Sequence, residues 1–200
     1  KFPQESQEQA TADLLIQETE RMNRTITDML SMTRPAPLRL ARVDLAALLH
    51  RSLDLMRAEA QDSGISLHLE IGDAIRPVSG DTDRLQQVFM NVVLNAMQAM
   101  ERGGRLTISV NNGEDQAEVE VRIADTGKGI PPELLSQVFY PYFTTKAGGS
   151  GIGLAISQKI VADHQGTMEI ESELNQGTTV IIRLPVWGEE QAKTSSAENG

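Results

Sequence analysis

The sequence predicts an α/β chain of the α+β kind: a two-layer sandwich with a mixed sheet packed on about three helices, preceded by one long bundle helix. Three observations carry this reading. Residues 5–34 hold a seven-residue apolar repeat that stops at Pro35-Ala36-Pro37. From residue 44 onward, helical stripes and alternating stretches follow one another without the regular strand–helix alternation of a doubly wound sheet. With 40% hydrophobic residues in a length of 200, the chain can bury one core and still carry an accessory element.

In the first segment Leu15, Met22 and Met29 recur at heptad spacing, interleaved with Ala12, Thr19, Ile26 and Thr33, as in a bundle or coiled-coil helix. An amphipathic helix packed on its own domain would show the same stripe. The two prolines make a stiff stop, so the division runs 1–34 helix, 35–43 linker, 44–186 main domain and 187–200 disordered polar tail. Asp44 can cap a helix with the apolar face Leu45, Leu48, Leu49, Leu53 and Met56, which Gly64 can end. Ile65, Leu67, Leu69 and Ile71 alternate as a half-buried strand, with a short partner near Arg76–Ser79. A helix follows from Thr82 to Glu101, then strands at 105–112 and 117–124 joined by Asn112-Gly113-Glu114-Asp115. After a glycine loop, a short turn at 132–138 and an irregular stretch at 139–150 lead into a helix at 151–164. Strands at 167–173 and 178–184 close a hairpin around Asn175-Gln176-Gly177.

Composition excludes several classes. A net charge of −10 argues against wholesale nucleic-acid binding, which needs a basic face for phosphate. No window approaches the roughly 20 apolar residues of a membrane-spanning helix, and residues 1–20 lack a signal-peptide pattern. Zero cysteines exclude disulfides and thiolate metal sites.

The chemistry is concentrated in residues 83–154. Leu85, Val88, Phe89, Val92, Ala96 and Met100 form a buried stripe, and Gln87, Asn91, Asn95 and Gln98 form a ridge beside it. Amide oxygens are hard neutral donors suited to Mg²⁺, although asparagines at this spacing also serve helix packing or a solvated surface. Asp125-x-Gly127-x-Gly129 follows a strand; a carboxylate there can accept from an exocyclic amine such as that of adenine, or simply sit in a tight turn. Gly149-Ser150-Gly151-Ile152-Gly153-Leu154 opens a helix whose N–H groups suit phosphate. This triplet lacks the preceding strand and later acidic residue of a dinucleotide fingerprint.

In order and spacing these elements resemble the ATP-binding catalytic domain of sensor histidine kinases, within the superfamily shared with DNA gyrase, MutL and a heat-shock chaperone. The resemblance covers residues 5–186. Asn91 and Asn95 match the asparagine box, Asp125, Gly127 and Gly129 the first glycine box, and Gly149, Gly151 and Gly153 the second. Phe139-Tyr140-Pro141-Tyr142-Phe143-Thr144-Thr145-Lys146 is similar to the phenylalanine box and lid, and Gly177-Thr178-Thr179 to the late glycine-threonine motif. The resemblance implies ATP and Mg²⁺ as cofactors, Asn95 as metal ligand, Asn91 as a polar contact near the phosphates and Asp125 as adenine reader. Thr144, Thr145, Lys146, Ser150, Leu154 and Thr178 complete the implied binding set, and Asn91 and Lys146 the catalytic one. Lys146 would steady the γ-phosphate, or stand as a solvated lid lysine. Asn91 stands where ATP-hydrolysing relatives carry a glutamate; a neutral amide is no general base, which favours transfer over hydrolysis.

Residues 5–34 resemble the second helix of the dimerisation and histidine-phosphotransfer hairpin, implying a homodimer through that helix and a response-regulator receiver domain as partner. None of His50, His68 and His164 has the context of a phospho-acceptor, and each is assigned a structural or surface role. Lys1–Gln4 then reads as the remnant of the hairpin loop of a longer protein, cytoplasmic in this part and anchored in the bacterial inner membrane only through segments upstream. Residues 20–24 and 141–146 look most like nitrogen-regulatory and metal-stress sensor kinases. The alternatives are a superfamily ATPase, a serine kinase, or a non-catalytic dimerisation or docking module.

Overall fold

The computed structural model describes residues 37–146 and 149–188. The expected bundle helix at 5–34 with its dimer contact, Gly148, and the tail from 189 lie outside the described residues.

Strand β1 (Ala41–Val43) pairs antiparallel with β3 (Val78–Gly80). The expected linker at 35–43 is therefore too long: its last three residues belong to the folded domain. The strand expected near 76–79 also exists, but its partner is β1, and it pairs with neither edge of the main sheet. Helix α1 (Leu45–Asp62) starts where Asp44 accepts the Ala47 N–H at 3.0 Å, a cap worth about 1 kcal/mol. Its five predicted apolar residues are all buried. Ser63 caps its end and Gly64 follows with φ +68°, the left-handed turn that glycine adopts most readily.

Strands β2 (Ile65–Ile71), β4 (Gly104–Asn112), β5 (Glu118–Asp125), β7 (Gly177–Pro185) and β6 (Thr167–Glu173) form one sheet in that order. β2 runs parallel to β4 and the other pairs are antiparallel, so the sheet is mixed as expected. Alternation sets its two faces. Leu106, Ile108 and Val110, Val119, Val121 and Ile123, and Val180, Ile182 and Leu184 point into the core. The opposite face carries Arg122 and Arg183, which bridge Glu120, Glu171 and Glu169.

Helices α2 (Thr82–Ala99) and α4 (Gly153–Asp163) pack together on the core face with α1, while α3 (Pro132–Leu135) is a single turn within the glycine-rich connection. Three long helices on one sheet match the predicted sandwich. The fold also extends slightly past its expected end at 186, because Trp187 donates its N–H to Pro77 O at 2.8 Å.

Candidate nucleotide site

Helix α2 is the spine of the site. Asp81 caps it by accepting the Arg84 N–H, and its other oxygen takes the Arg39 N–H. Leu85, Val88, Phe89, Val92, Ala96 and Met100 are buried, while Asn91 and Asn95 stand half-buried beside them. The stripe and ridge are therefore as the spacing predicts.

Asn91 turns its amide nitrogen to α4, 3.4 Å from Gly153 O and 3.5 Å from Ser157 Oγ. It links the asparagine box to the second glycine box. Asn95, one turn on, meets Lys146 instead. The Lys146 ammonium donates to Asn95 Oδ1 at 3.1 Å, Asn95 O at 3.3 Å and Gln98 Oε1 at 2.9 Å. Lys146 is thus seated on the helix and is not a solvated lysine. Burial and the nearby Lys128 charge lower its pKa to about 8, partly offset by Asp125.

Asp125 is the last residue of β5 and only 8% exposed. Its Oδ1 accepts the N–H of Gly127 at 2.8 Å and of Thr178 at 3.3 Å, fixing the carboxyl between the first glycine loop and β7. Burial pushes the carboxyl above the usual carboxylate range, while those N–H groups and the Lys146 charge pull it back. Among the described residues no protein donor is bonded to Oδ2. A fixed carboxyl with one oxygen unbonded suits an amine on a flat ligand.

Ser172 was not singled out by the sequence. Its hydroxyl accepts the Ile130 N–H at 2.9 Å, donates to Gly177 O at 2.8 Å and lies 3.0 Å from Thr178 Oγ1. It fastens the first glycine loop to the β6–β7 turn. Gly177 sits at φ +118°, and a Cβ there would lie 1.9 Å from Asp125 O, so only glycine fits against the backbone at the end of β5. At Gly153 a Cβ would meet only the Asn91 amide, at 3.8 Å, so the space over the start of α4 is open.

The remaining predicted residues lie in the glycine-rich connection between β5 and α4 or at its ends. Thr144 Oγ1 accepts the Lys146 N–H, and Ser150 Oγ lies 3.4 Å from the Ile152 N–H that it accepts. Thr145, Gly149 and Ser150 are exposed, Gly151 and Leu154 half-buried. Gly129 takes φ +66° against Glu173. Helix α4 begins with Gly153 after Ile152, two residues later than expected, so Gly149–Gly151 precede the helix. Among the described residues no group of three His, Cys, Asp or Glu side chains could hold a metal ion. The fit of a hard cation rests on the neutral side-chain oxygen of Asn95, which here already accepts from one positive charge.

His50 and His68 are exposed and His164 is buried. His164 Nε2 accepts the Asp81 N–H at 2.9 Å, which puts the ring proton on Nδ1, 2.7 Å from Ile160 O. All three fit the structural or surface roles expected of them.

The chain belongs to the histidine kinase-, DNA gyrase B- and HSP90-like ATPase family, whose model matches residues 80–188. It is 39% identical over 175 residues to the sensor histidine kinase ZraS of Escherichia coli (strain K12), covering 88% of this chain and 37% of that protein. It is 32% identical over 173 residues to the signal transduction histidine-protein kinase AtoS of the same organism, covering 86% of this chain and 28% of that one. The chain therefore spans less than half the length of the curated relatives it matches. Full-length ShkA in complex with AMPPNP superposes with a TM-score of 0.80 at 27% identity, over 93% of this chain and 40% of that one. The histidine kinase ThkA in complex with the response regulator TrrA gives a TM-score of 0.75 at 26% identity, over 88% of this chain and 50% of that one.

Proposed function

We propose that this chain is the ATP-binding catalytic part of a two-component sensor histidine kinase, and that it presents the γ-phosphate of Mg·ATP to a histidine carried elsewhere in the protein. The observation that supports it best is the Asp125 carboxyl, buried and held by Gly127 and Thr178 with one oxygen left for a ligand. AMPPNP in ShkA supports an adenine nucleotide at the corresponding fold, and TrrA bound to ThkA supports a receiver domain as the acceptor downstream.

The residues divide the work by position. Asp125 reads the adenine amine, and Thr178 and the glycine loop flank the base. Asn95 holds Mg²⁺, which supplies neutralisation of phosphate charge when bound. Asn91 fixes α4 beside α2 and faces the phosphates with a group that cannot activate water. Thr144, Thr145, Gly149, Ser150, Gly151, Gly153 and Leu154 border the phosphate side, and Lys146 contributes positive charge there. Dimerisation through residues 5–34 and anchoring in a bacterial inner membrane through segments outside this sequence complete the reading. Among the described residues no helix is long and apolar enough to cross a membrane.

The test is a Mg·ATP-dependent thermal shift together with incubation in γ-labelled ATP. A shift is expected, lost in Asn95→Ala, with slow release of phosphate and no acid-labile label on this chain. Rapid steady phosphate release would make it an ATPase; absence of any nucleotide-dependent shift would leave a docking module.

A further inference from the structure

We propose that Gln98 is a positioning residue that parks the Lys146 ammonium on Asn95, so that Lys146 and a divalent cation compete for one oxygen, Asn95 Oδ1. The inference rests on the nucleotide-binding reading above. An ammonium has three N–H donors and no acceptor, and here three oxygens meet it: Asn95 Oδ1, Asn95 O and Gln98 Oε1. Asn95 and Gln98 are three apart on α2, so their side chains share a face and can grip one group. The Gln98 contact, 2.9 Å, is the shortest of the three.

An oxygen cannot hold an ammonium and a dication at once, since the two like charges would stand only a few ångströms apart. Among the described residues Lys146 forms no ion pair, and its direct partners are neutral amides. Anionic phosphate oxygens are stronger partners for an ammonium than neutral amides. A bound nucleotide therefore loosens the hold of the helix on Lys146, and the cation completes its displacement from Asn95 Oδ1. Gln98 sets how readily this happens, and so sets the metal affinity of the nucleotide complex without contacting the metal.

The consequence has an unusual sign: loss of a polar side chain beside the metal ligand tightens metal binding. ADP binding to the whole chain is measured first in excess chelator, then Mn²⁺ binding to the ADP complex by electron paramagnetic resonance, for wild type and Gln98→Leu. Gln98→Leu is expected to bind Mn²⁺ roughly threefold to tenfold more tightly, the worth of one charge-assisted hydrogen bond at an exposed position. Weaker or unchanged Mn²⁺ binding overturns the proposal. A second measurement on the wild-type chain covers a variant that fails to fold. With isotope-labelled lysine, a slowly exchanging ammonium resonance, missing from Lys146→Met, is expected in the free protein and displaced in Mg·ADP; its persistence unchanged in that complex overturns the proposal. If ADP binds under neither condition, the nucleotide reading itself fails, which the first step reveals separately.

Discussion

His164 accepts the backbone N–H of Asp81 across 2.9 Å, joining the end of α4 to the start of α2. The ring is 2% exposed and its other nitrogen is satisfied by Ile160 O. His164→Ala leaves a part-buried N–H without its partner and opens a cavity, and is expected to lower stability by about 2–4 kcal/mol. Chemical denaturation reads this directly. An unchanged midpoint would mean that the two helix ends are held by other contacts.

Asp125→Asn should separate folding from binding. Burial raises the folded carboxyl's pKa above its usual value, so the ionised group costs stability above the folded pKa, and the cost vanishes as pH falls below the unfolded one. The variant should melt higher than wild type at pH 7, with the gap closing on acidification through the carboxylate range. ADP affinity should fall more than about tenfold, because the Asn side chain offers a donor where an acceptor is needed. Thermal scans against pH and calorimetric titration measure the two effects. A gap that widens in acid would refute the burial argument.

Two glycines near the site should behave in opposite ways. At Gly177 an added methyl lies 1.9 Å from Asp125 O, so Gly177→Ala must move the backbone and should lose several kcal/mol of stability. At Gly153 the methyl finds room, and α4 gains a part of the roughly 1 kcal/mol that the change is worth in a helix interior. Gly153→Ala should therefore keep or raise the melting temperature while weakening nucleotide binding at the open phosphate side. Equal loss of stability in both would show that Gly153 is constrained by the fold alone.

Ser172→Ala removes the hydroxyl shared by Ile130, Gly177 and Thr178. The global fold should survive with a loss of about 1–2 kcal/mol. The Gly127–Gly129 loop loses its fastening, so its amide protons should exchange faster and ADP affinity should drop severalfold. Hydrogen exchange that stays unchanged in this loop would show that Asp125 holds it unaided.

Much of this was legible because period and chemistry agreed. The α2 stripe, the alternating β4, β5 and β7, and the cap at Asp44 each follow from local spacing, and all occur where expected. Three residues of β1 were not legible, since Ala41-Arg42-Val43 is too short to alternate and pairs with residues far along the chain. The fastening by Ser172 was hidden for a similar reason: one hydroxyl among alternating glutamates carries no local mark of its partners. Gln98 stood visibly on the ridge, but its hold on Lys146 depends on a chain return of 48 residues. Long-range hydrogen bonds chose these partners, and spacing along the sequence does not encode them.

The small β1–β3 ribbon has a mechanical meaning. β3 ends at Gly80 and α2 begins at Thr82, while Arg39 is bonded to the intervening Asp81. The incoming backbone is thus zipped to the very end of the helix that bears Asn91 and Asn95. A tug or twist on the chain ahead of residue 39 loads that ribbon in shear and reaches α2 within one residue. The entry strand and the first turn of α2 are thereby one mechanical unit.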